Sequence, residues 1–160
     1  MEFKTLKKIF KHLFNSFALM CFALPTFANV MVKDGYVRAM PASVPNTAAY
    51  MTLMNHTSDA LTLVGVTTSA AKTAELHTII EQNGVVKMRQ VEGFELASHA
   101  SLTLQPSGDH IMLLGLAKPL VVDDTVSLTL HFSNGTEQAI ELPVKKKASA
   151  SDEHAHHHHH

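Results

Sequence analysis

The chain has 160 residues, a formal net charge of −1 with histidine neutral, and a single cysteine. This length allows one domain with a sizeable core. The slightly acidic balance argues against nucleic acid or anionic lipid as a partner, and one cysteine excludes a framework of disulfides within the chain.

The first 28 residues have the pattern of a secretory signal peptide. Four lysines between positions 4 and 11 precede an apolar run from Phe17 to Leu24, and Thr26 and Ala28 are small residues where a signal peptidase reads the chain. The apolar run is shorter than the about 20 residues that a membrane-spanning helix needs. We therefore predict cleavage after Ala28, export to the periplasm, and no stable membrane insertion afterwards.

Loss of this segment changes the composition of the protein. Cys21 is removed with it, and the bulky Met20 before this cysteine argues against a lipid anchor. The Lys and Arg count falls from 13 to 9 and the Asp and Glu count from 14 to 13, which gives a net charge of −4. An exported domain without cysteine must be held together by its core alone.

Residues 29–144 form the predicted domain, and they read as short strands separated by turn signals. In chain order the strand-like segments are VMVKDGYVRA, AAYMTLMNHTSD, ALTLVGVTTS, TAELHTII, VVKM, SLTL, HIMLLGL, TVSLTLHF and TEQAIELPV. Asn83-Gly84 and Asn134-Gly135 each lie between two such segments and predict hairpins. No helical period is sustained, so we predict a single all-β domain, either a two-sheet β-sandwich or a Greek-key barrel.

Residues 145–160 differ in character, because they contain no large apolar residue and are rich in histidine. We predict disorder and loose binding of divalent metal by His154 and residues 156–160. The tail is either a native extension or a purification tag. The retained signal peptide and the run of five histidines preceded by His-Ala favour a native extension.

Four potential metal ligands lie in two of the strand-like segments. His110 and Met112 are two residues apart, so their side chains leave the same face of a strand. If Asn83-Gly84 is a two-residue turn, Ile79 lies opposite Met88, and His77 is diagonal to Met88 on the same face. Diagonal side chains are about 7–8 Å apart, within reach of long side chains. Spacing alone does not show whether the two segments lie side by side.

The chemistry of these four side chains indicates copper. Thioether sulphur is a soft ligand and imidazole a borderline one, so two of each suit Cu(I) better than Zn²⁺. Thioethers cannot form disulfides in an oxidising compartment, and they bind metal more weakly than thiolates, which favours later release. A blue-copper electron carrier needs a cysteine ligand and is excluded for a chain that has lost Cys21.

Taken one at a time, each of these residues is more often structural than functional, because methionine in a strand is usually a core residue. Four further methionines are interpreted as core or edge residues, with the last two as candidates to line the site: Met31, Met40, Met51 and Met54. Three further histidines are interpreted as residues without metal, the first two in turns and the third in a strand: His56, His99 and His131.

The joint spacing is more specific than any single residue. It reads His77, ten residues, Met88, twenty-one residues, His110, one residue, Met112. This resembles the H-x10-M-x21-H-x-M motif of the PCuAC family of periplasmic copper chaperones. The segments AELHTIIEQNGVVKMRQVEGFEL, LQPSGDHIMLLGLAKPL and DTVSLTLHF are similar to that family too, and the similarity spans residues 30–144.

The resemblance implies a cupredoxin-like β-sandwich that binds one Cu(I) through His77, Met88, His110 and Met112. It implies delivery of copper to the CuA site of cytochrome c oxidase subunit II, directly or with a thioredoxin-like Sco-type partner. Some members carry a C-terminal extension that takes Cu(II), and the tail here is similar to it, although it lacks methionine. We expect a monomer.

Three alternatives remain open at this point. The first is a periplasmic protein for copper buffering or resistance, which would sequester copper without a dedicated acceptor. The second is an enzyme, for which the sequence offers little. No carboxylate of the ligand segments is placed as a general base apart from Asp109 beside His110, and Glu75 is the other nearby acid. The third is a β-sandwich module for adhesion or pilus assembly, which would not bind Cu(I) selectively.

Overall fold

The computed structural model describes residues 30–146. The predicted signal peptide, residues 1–28, and the histidine-rich tail beyond Lys146 lie outside this range. The described residues form ten β-strands and no helix: β1 Val30–Arg38, β2 Asn46–Asn55, β3 Leu61–Thr67, β4 Ala71–Gln82, β5 Val85–Gln90, β6 Phe94–Leu96, β7 Ser101–Leu104, β8 His110–Leu116, β9 Thr125–Phe132 and β10 Glu137–Lys145. This range therefore contains no helix that could cross a membrane.

Alternation of apolar and polar residues explains why most of these segments are strands. In β9 the apolar side chains of Val126, Leu128, Leu130 and Phe132 are buried while the residues between them are exposed or half-buried. This is the period of two that a strand with one core face requires. β2 differs, because one face is buried throughout, from Thr47 to Asn55, and two residues of the other face, Ala48 and Tyr50, are buried as well.

The strands follow one continuous order, β5-β4-β8-β2-β1-β10-β9-β3-β6, and β7 pairs with the second part of β2. All pairings are antiparallel except that of β1 with β10, which is parallel and places Val37 opposite Val144. This junction divides the order into two parts. We call them the β4 half, from β5 to β1, and the β9 half, from β10 to β6.

The two halves pack around one hydrophobic core. Leu53, Ile111 and Leu113 of the β4 half and Leu63 and Leu130 of the β9 half belong to the same cluster, and all are fully buried. Burial of apolar side chains between two layers of strands is the main stabilising term of such a fold. The predicted single-domain, all-β sandwich is therefore confirmed.

The predicted strands all appear in the structure, but β6 was missed. It has only three residues, Phe94–Leu96, and pairs with β3. A Cβ on the preceding Gly93 would lie 2.8 Å from Thr62 Cγ2 and 3.0 Å from the Leu63 carbonyl oxygen. Glycine thus lets this segment approach β3 closely, a non-local reason that strand periodicity does not reveal.

Candidate metal centre

The hairpin of β4 and β5 has the predicted register. Asn83 and Gly84 both have positive φ, of 56° and 74°, as a two-residue type I′ turn requires. Ile79 lies opposite Met88. Because side chains alternate along a strand, His77 and Met88 emerge on the same face of the hairpin, with His77 one diagonal step further from the turn.

The second ligand segment lies directly beside this hairpin, which the sequence left open. β8 pairs antiparallel with β4, so His110 is opposite His77 and Met112 is opposite Glu75. The two imidazole rings have centroids 5.9 Å apart. All four predicted ligands therefore lie on the outer face of the β4 half, within three adjacent strands.

A cavity of about 310 Å³ opens on this face. Its lining includes three of the four predicted ligands, Met88, His110 and Met112, together with Ile79 from the hairpin. His77 is not among the lining residues. The ligands differ in exposure. Met88, on the edge strand β5, is 51 % exposed, whereas His110 is only 3 % exposed.

Hydrogen bonds determine which nitrogen of each histidine ring keeps a lone pair that a metal could use. His110 Nδ1 lies 2.8 Å from the carbonyl oxygen of Gly108. A carbonyl oxygen only accepts, so Nδ1 carries the proton and donates it. The lone pair of the neutral His110 ring is then on Nε2, the atom available to a metal.

His77 presents the opposite nitrogen. Its Nε2 lies 2.8 Å from Glu75 Oε2, and an ionised carboxylate only accepts, so Nε2 carries the proton. His77 Nδ1 is buried and has no hydrogen-bond partner in the described residues. A buried acceptor without a partner costs about 1–3 kcal/mol. Coordination to a metal would relieve that cost.

The donor set fits a soft monovalent cation. Two neutral imidazole nitrogens and two thioether sulphurs are the ligands that Cu(I) accepts and that harder divalent ions bind poorly. The described residues contain no group of three or more His, Cys, Asp and Glu side chains placed to hold a metal. A metal bound at this face by more than the two histidines would therefore need the thioethers as ligands.

An aromatic row supports the histidines. Tyr36, Tyr50, His110 and His77 follow one another across four strands, with centroid separations of 5.2, 6.3 and 5.9 Å. Burial raises the pKa of the Tyr36 phenol, the neighbouring Tyr50 raises it further, and Arg38 opposes both. Tyr50 is buried against the His110 ring and restricts the orientations that this ring can adopt.

Sequence reasoning missed some neighbours of the site. Met51 is buried in the core, as interpreted, and does not line the cavity, for which it was also a candidate. Met40, interpreted as structural, does line it, as do Arg38 and Tyr50. Met40 lies between β1 and β2, outside any strand, so strand alternation did not predict its place at the cavity.

The other histidines are placed as interpreted or close to it. His56 is exposed just after β2, and His99 is exposed in a turn with φ of 53°. His131 lies on β9, where Nδ1 is 3.1 Å from Glu137 Oε1 and Nε2 is 2.9 Å from Thr67 Oγ1. Both nitrogens of His131 are thus engaged by protein groups.

Comparison with known proteins matches the domain to a family of lipoproteins. The model of the LpqE-like lipoprotein family matches residues 30–144. A protein of Leifsonia xyli subsp. xyli named as a lipoprotein is 36 % identical over 122 residues, which cover 76 % of this chain and 72 % of the relative.

Solved structures share the fold. The Cu(I) form of DR1885 from Deinococcus radiodurans is 37 % identical, with a TM-score of 0.59, and the match covers 79 % of this chain and 83 % of that one. The copper-bound PCuAC domain from PmoF2 has a TM-score of 0.64 at 19 % identity and covers 76 % of this chain and 96 % of that domain. At that identity the second likeness shows the fold alone.

Proposed function

Because the chain belongs to the LpqE-like family of PCuAC type, we propose that it is a copper chaperone that binds one Cu(I) ion and passes it on. The ligands are His77 Nδ1, His110 Nε2 and the thioether sulphurs of Met88 and Met112. The family resemblance and the cupredoxin-like sandwich expected from the sequence are both confirmed.

The proposal rests mainly on the relative position of the two histidines. The β4–β8 pairing sets His77 opposite His110, and a buried ring nitrogen of His77 has no partner among the described residues. Two thioethers lie on the same face. Neutral donors of this kind suit Cu(I), and DR1885, a relative 37 % identical, was solved in a Cu(I) form.

The exposure of the ligands suggests how copper is released. Met88 is on an edge strand and half-exposed, while His110 is buried. A donor atom of an acceptor protein reaches the ion first from the Met88 side. It bonds to Cu(I), the Met88 thioether leaves, and the oxidation state of the metal is unchanged.

We propose the CuA site of cytochrome c oxidase subunit II as the acceptor, reached directly or with a Sco-type partner, and the periplasm as the compartment. The His-rich tail is proposed as a separate, weaker Cu(II) site. These assignments rest on the family and on the signal-peptide pattern. A carrier is favoured over an enzyme, because the acid nearest the rings, Glu75, is held by His77.

The ligand assignment is tested by competition for Cu(I) with a chromophoric chelator. Replacing both Met88 and Met112 by leucine should weaken the affinity by about 100-fold or more, which is about 2.7 kcal/mol. The matched control replaces Met31 and Met54, which are paired on β1 and β2 and lie outside the cavity lining, and should leave the affinity unchanged. Equal affinities for both double variants would refute the assignment.

Delivery is tested separately from binding. The loaded chain is mixed with a metal-free CuA domain, and the copper content of each protein is measured after separation. A chaperone transfers its copper to the CuA domain. A buffering protein retains it, and that result would favour the sequestration alternative.

A further inference from the structure

Each of the two histidines has one ring nitrogen held by an acceptor. For His110 the acceptor is a backbone carbonyl, that of Gly108, 2.8 Å from Nδ1. For His77 it is a side chain, Glu75 Oε2, 2.8 Å from Nε2. The backbone acceptor cannot be removed by substitution, but the carboxylate can, so the contribution of this contact is open to experiment.

The position of Glu75 follows from the same pairing that builds the site. Glu75 and His77 are two residues apart on β4 and therefore share a face. Glu75 lies opposite Met112 just as His77 lies opposite His110. The four residues thus form two neighbouring cross-strand pairs, and the Glu75 carboxylate contacts Nε2 of the His77 ring.

The enclosure of this contact matters for its strength. The side chains of His77 and Glu75 are 15 % and 26 % exposed, so water competes only weakly for the Nε2 proton. A neutral imidazole can carry its proton on either nitrogen, and the hydrogen bond selects one. With Nε2–H donated to the carboxylate, the lone pair is fixed on Nδ1, the buried nitrogen without a partner.

We propose that Glu75 is a positioning residue that locks His77 in the tautomer and ring orientation whose Nδ1 binds Cu(I). The proposal rests on the proposed copper-binding function and assigns Glu75 no direct bond to the metal. A carboxylate behind a ligating imidazole also makes the ring a better donor, and it offsets the positive charge of the bound ion.

The test uses the full chain and two readouts. The first is the tautomer of the His77 ring in the metal-free protein, taken from its imidazole nitrogen NMR shifts well above the ordinary histidine pKa of about 6.5. The second is Cu(I) affinity by chelator competition. The variants are Glu75→Leu, which removes the acceptor, and Glu75→Gln, whose amide oxygen can still accept from Nε2–H.

The chain offers a matched control in Glu137→Leu, which removes the carboxylate from the other histidine–glutamate contact, that of His131. We expect Glu75→Leu to give a mixture of His77 tautomers and to weaken Cu(I) binding by about 10- to 100-fold, the usual effect of losing such a partner. Glu75→Gln should keep the tautomer and most of the affinity. Glu137→Leu should change neither readout of the copper site.

Two results would overturn the inference. An unchanged tautomer and affinity in Glu75→Leu would show that the contact does not position the ring. Tighter binding in Glu75→Leu would show that the carboxylate competes with copper for Nε2. If the wild-type chain fails to bind Cu(I), the proposed function fails, and the tautomer of the metal-free protein still decides whether Glu75 fixes the ring.

Discussion

Each half of the sandwich presents a histidine in contact with a glutamate, but the two pairs differ in their second ring nitrogen. On the β4 half, His77 donates to Glu75 and keeps a buried Nδ1 without a partner among the described residues. On the β9 half, His131 contacts Glu137 through Nδ1 and Thr67 through Nε2. Glu137 is 65 % exposed, so this second pair is largely solvated.

The cross-strand neighbours explain the difference. His131 is flanked by Gly65 on β3 and by Glu137 on β10, neither of which is a soft donor. His77 is flanked by His110 on β8. The contact of His77 therefore fits the proposed metal site, because a ring nitrogen without a partner and further donors share its face, and the contact of His131 does not. An exposed pair of this kind contributes little to stability.

The largest expected effect comes from removing each histidine in turn. His77→Ala should weaken Cu(I) binding by about 100-fold or more, because it removes a ligand from a strand that has no second histidine or methionine. His131→Ala should leave the affinity unchanged. Chelator competition measures the Cu(I) affinity of each variant. A comparable loss of affinity in His131→Ala would show that the β4 half is not the specific copper site.

Local sequence signals predicted the first part of this site correctly. Asn83-Gly84 fixed the register of the hairpin, because both residues tolerate positive φ and the turn type sets the pairing. Strand β9 was likewise readable from its alternation. The pairing of β8 with β4 was not, because the two strands are separated by β5, β6 and β7, and the sequence contains no local signal for which strands meet across that distance.

The contact between Glu75 and His77 could not be predicted for the same reason. Glu75 was noted as an acid close to His77, but its contact with the ring depends on side-chain orientation and on the enclosure that β8 provides. The position of Met40 at the cavity was missed for a different reason. Met40 lies between β1 and β2, outside any strand, where alternation does not predict the direction of a side chain.

An intermediate effect is expected from the two Asn-Gly turns, one in each half. Gly84 and Gly135 have φ of 74° and 80°, and an added Cβ would meet no atom of the described residues within 4 Å at either position. Alanine at either site should therefore lower the free energy of unfolding by about 1–2 kcal/mol through backbone strain alone. Denaturant titration measures this loss.

The two turns should differ in their effect on copper. Gly84→Ala distorts the hairpin that presents Met88 and should weaken Cu(I) binding a few-fold. Gly135→Ala acts on the β9 half and should leave the affinity at the wild-type value. If both substitutions weakened binding equally, the site would depend on global stability and not on the hairpin.

The smallest expected effect is an alkaline loss of stability linked to the aromatic row. The pKa of Tyr36 is raised in the folded protein, mainly by burial, so the folded state holds this proton more tightly than the unfolded state. Its contribution to stability is complete below the ordinary tyrosine pKa of about 10 and is lost as the pH rises through the folded value. Tyr36→Phe should flatten this decline in unfolding experiments, and an identical alkaline profile would contradict the assignment.

The central claim is that one Cu(I) ion is bound by two imidazoles and two thioethers on the outer face of the β4 half. X-ray absorption at the copper edge tests it most directly, with one equivalent of Cu(I) on the chain without residues 1–28, which removes Cys21 as a source of sulphur scattering. We predict a Cu(I) edge with both nitrogen and sulphur neighbours, and loss of the sulphur scattering when Met88 and Met112 are replaced by leucine. A spectrum with nitrogen and oxygen neighbours only, or sulphur scattering that survives the double substitution, would contradict the account.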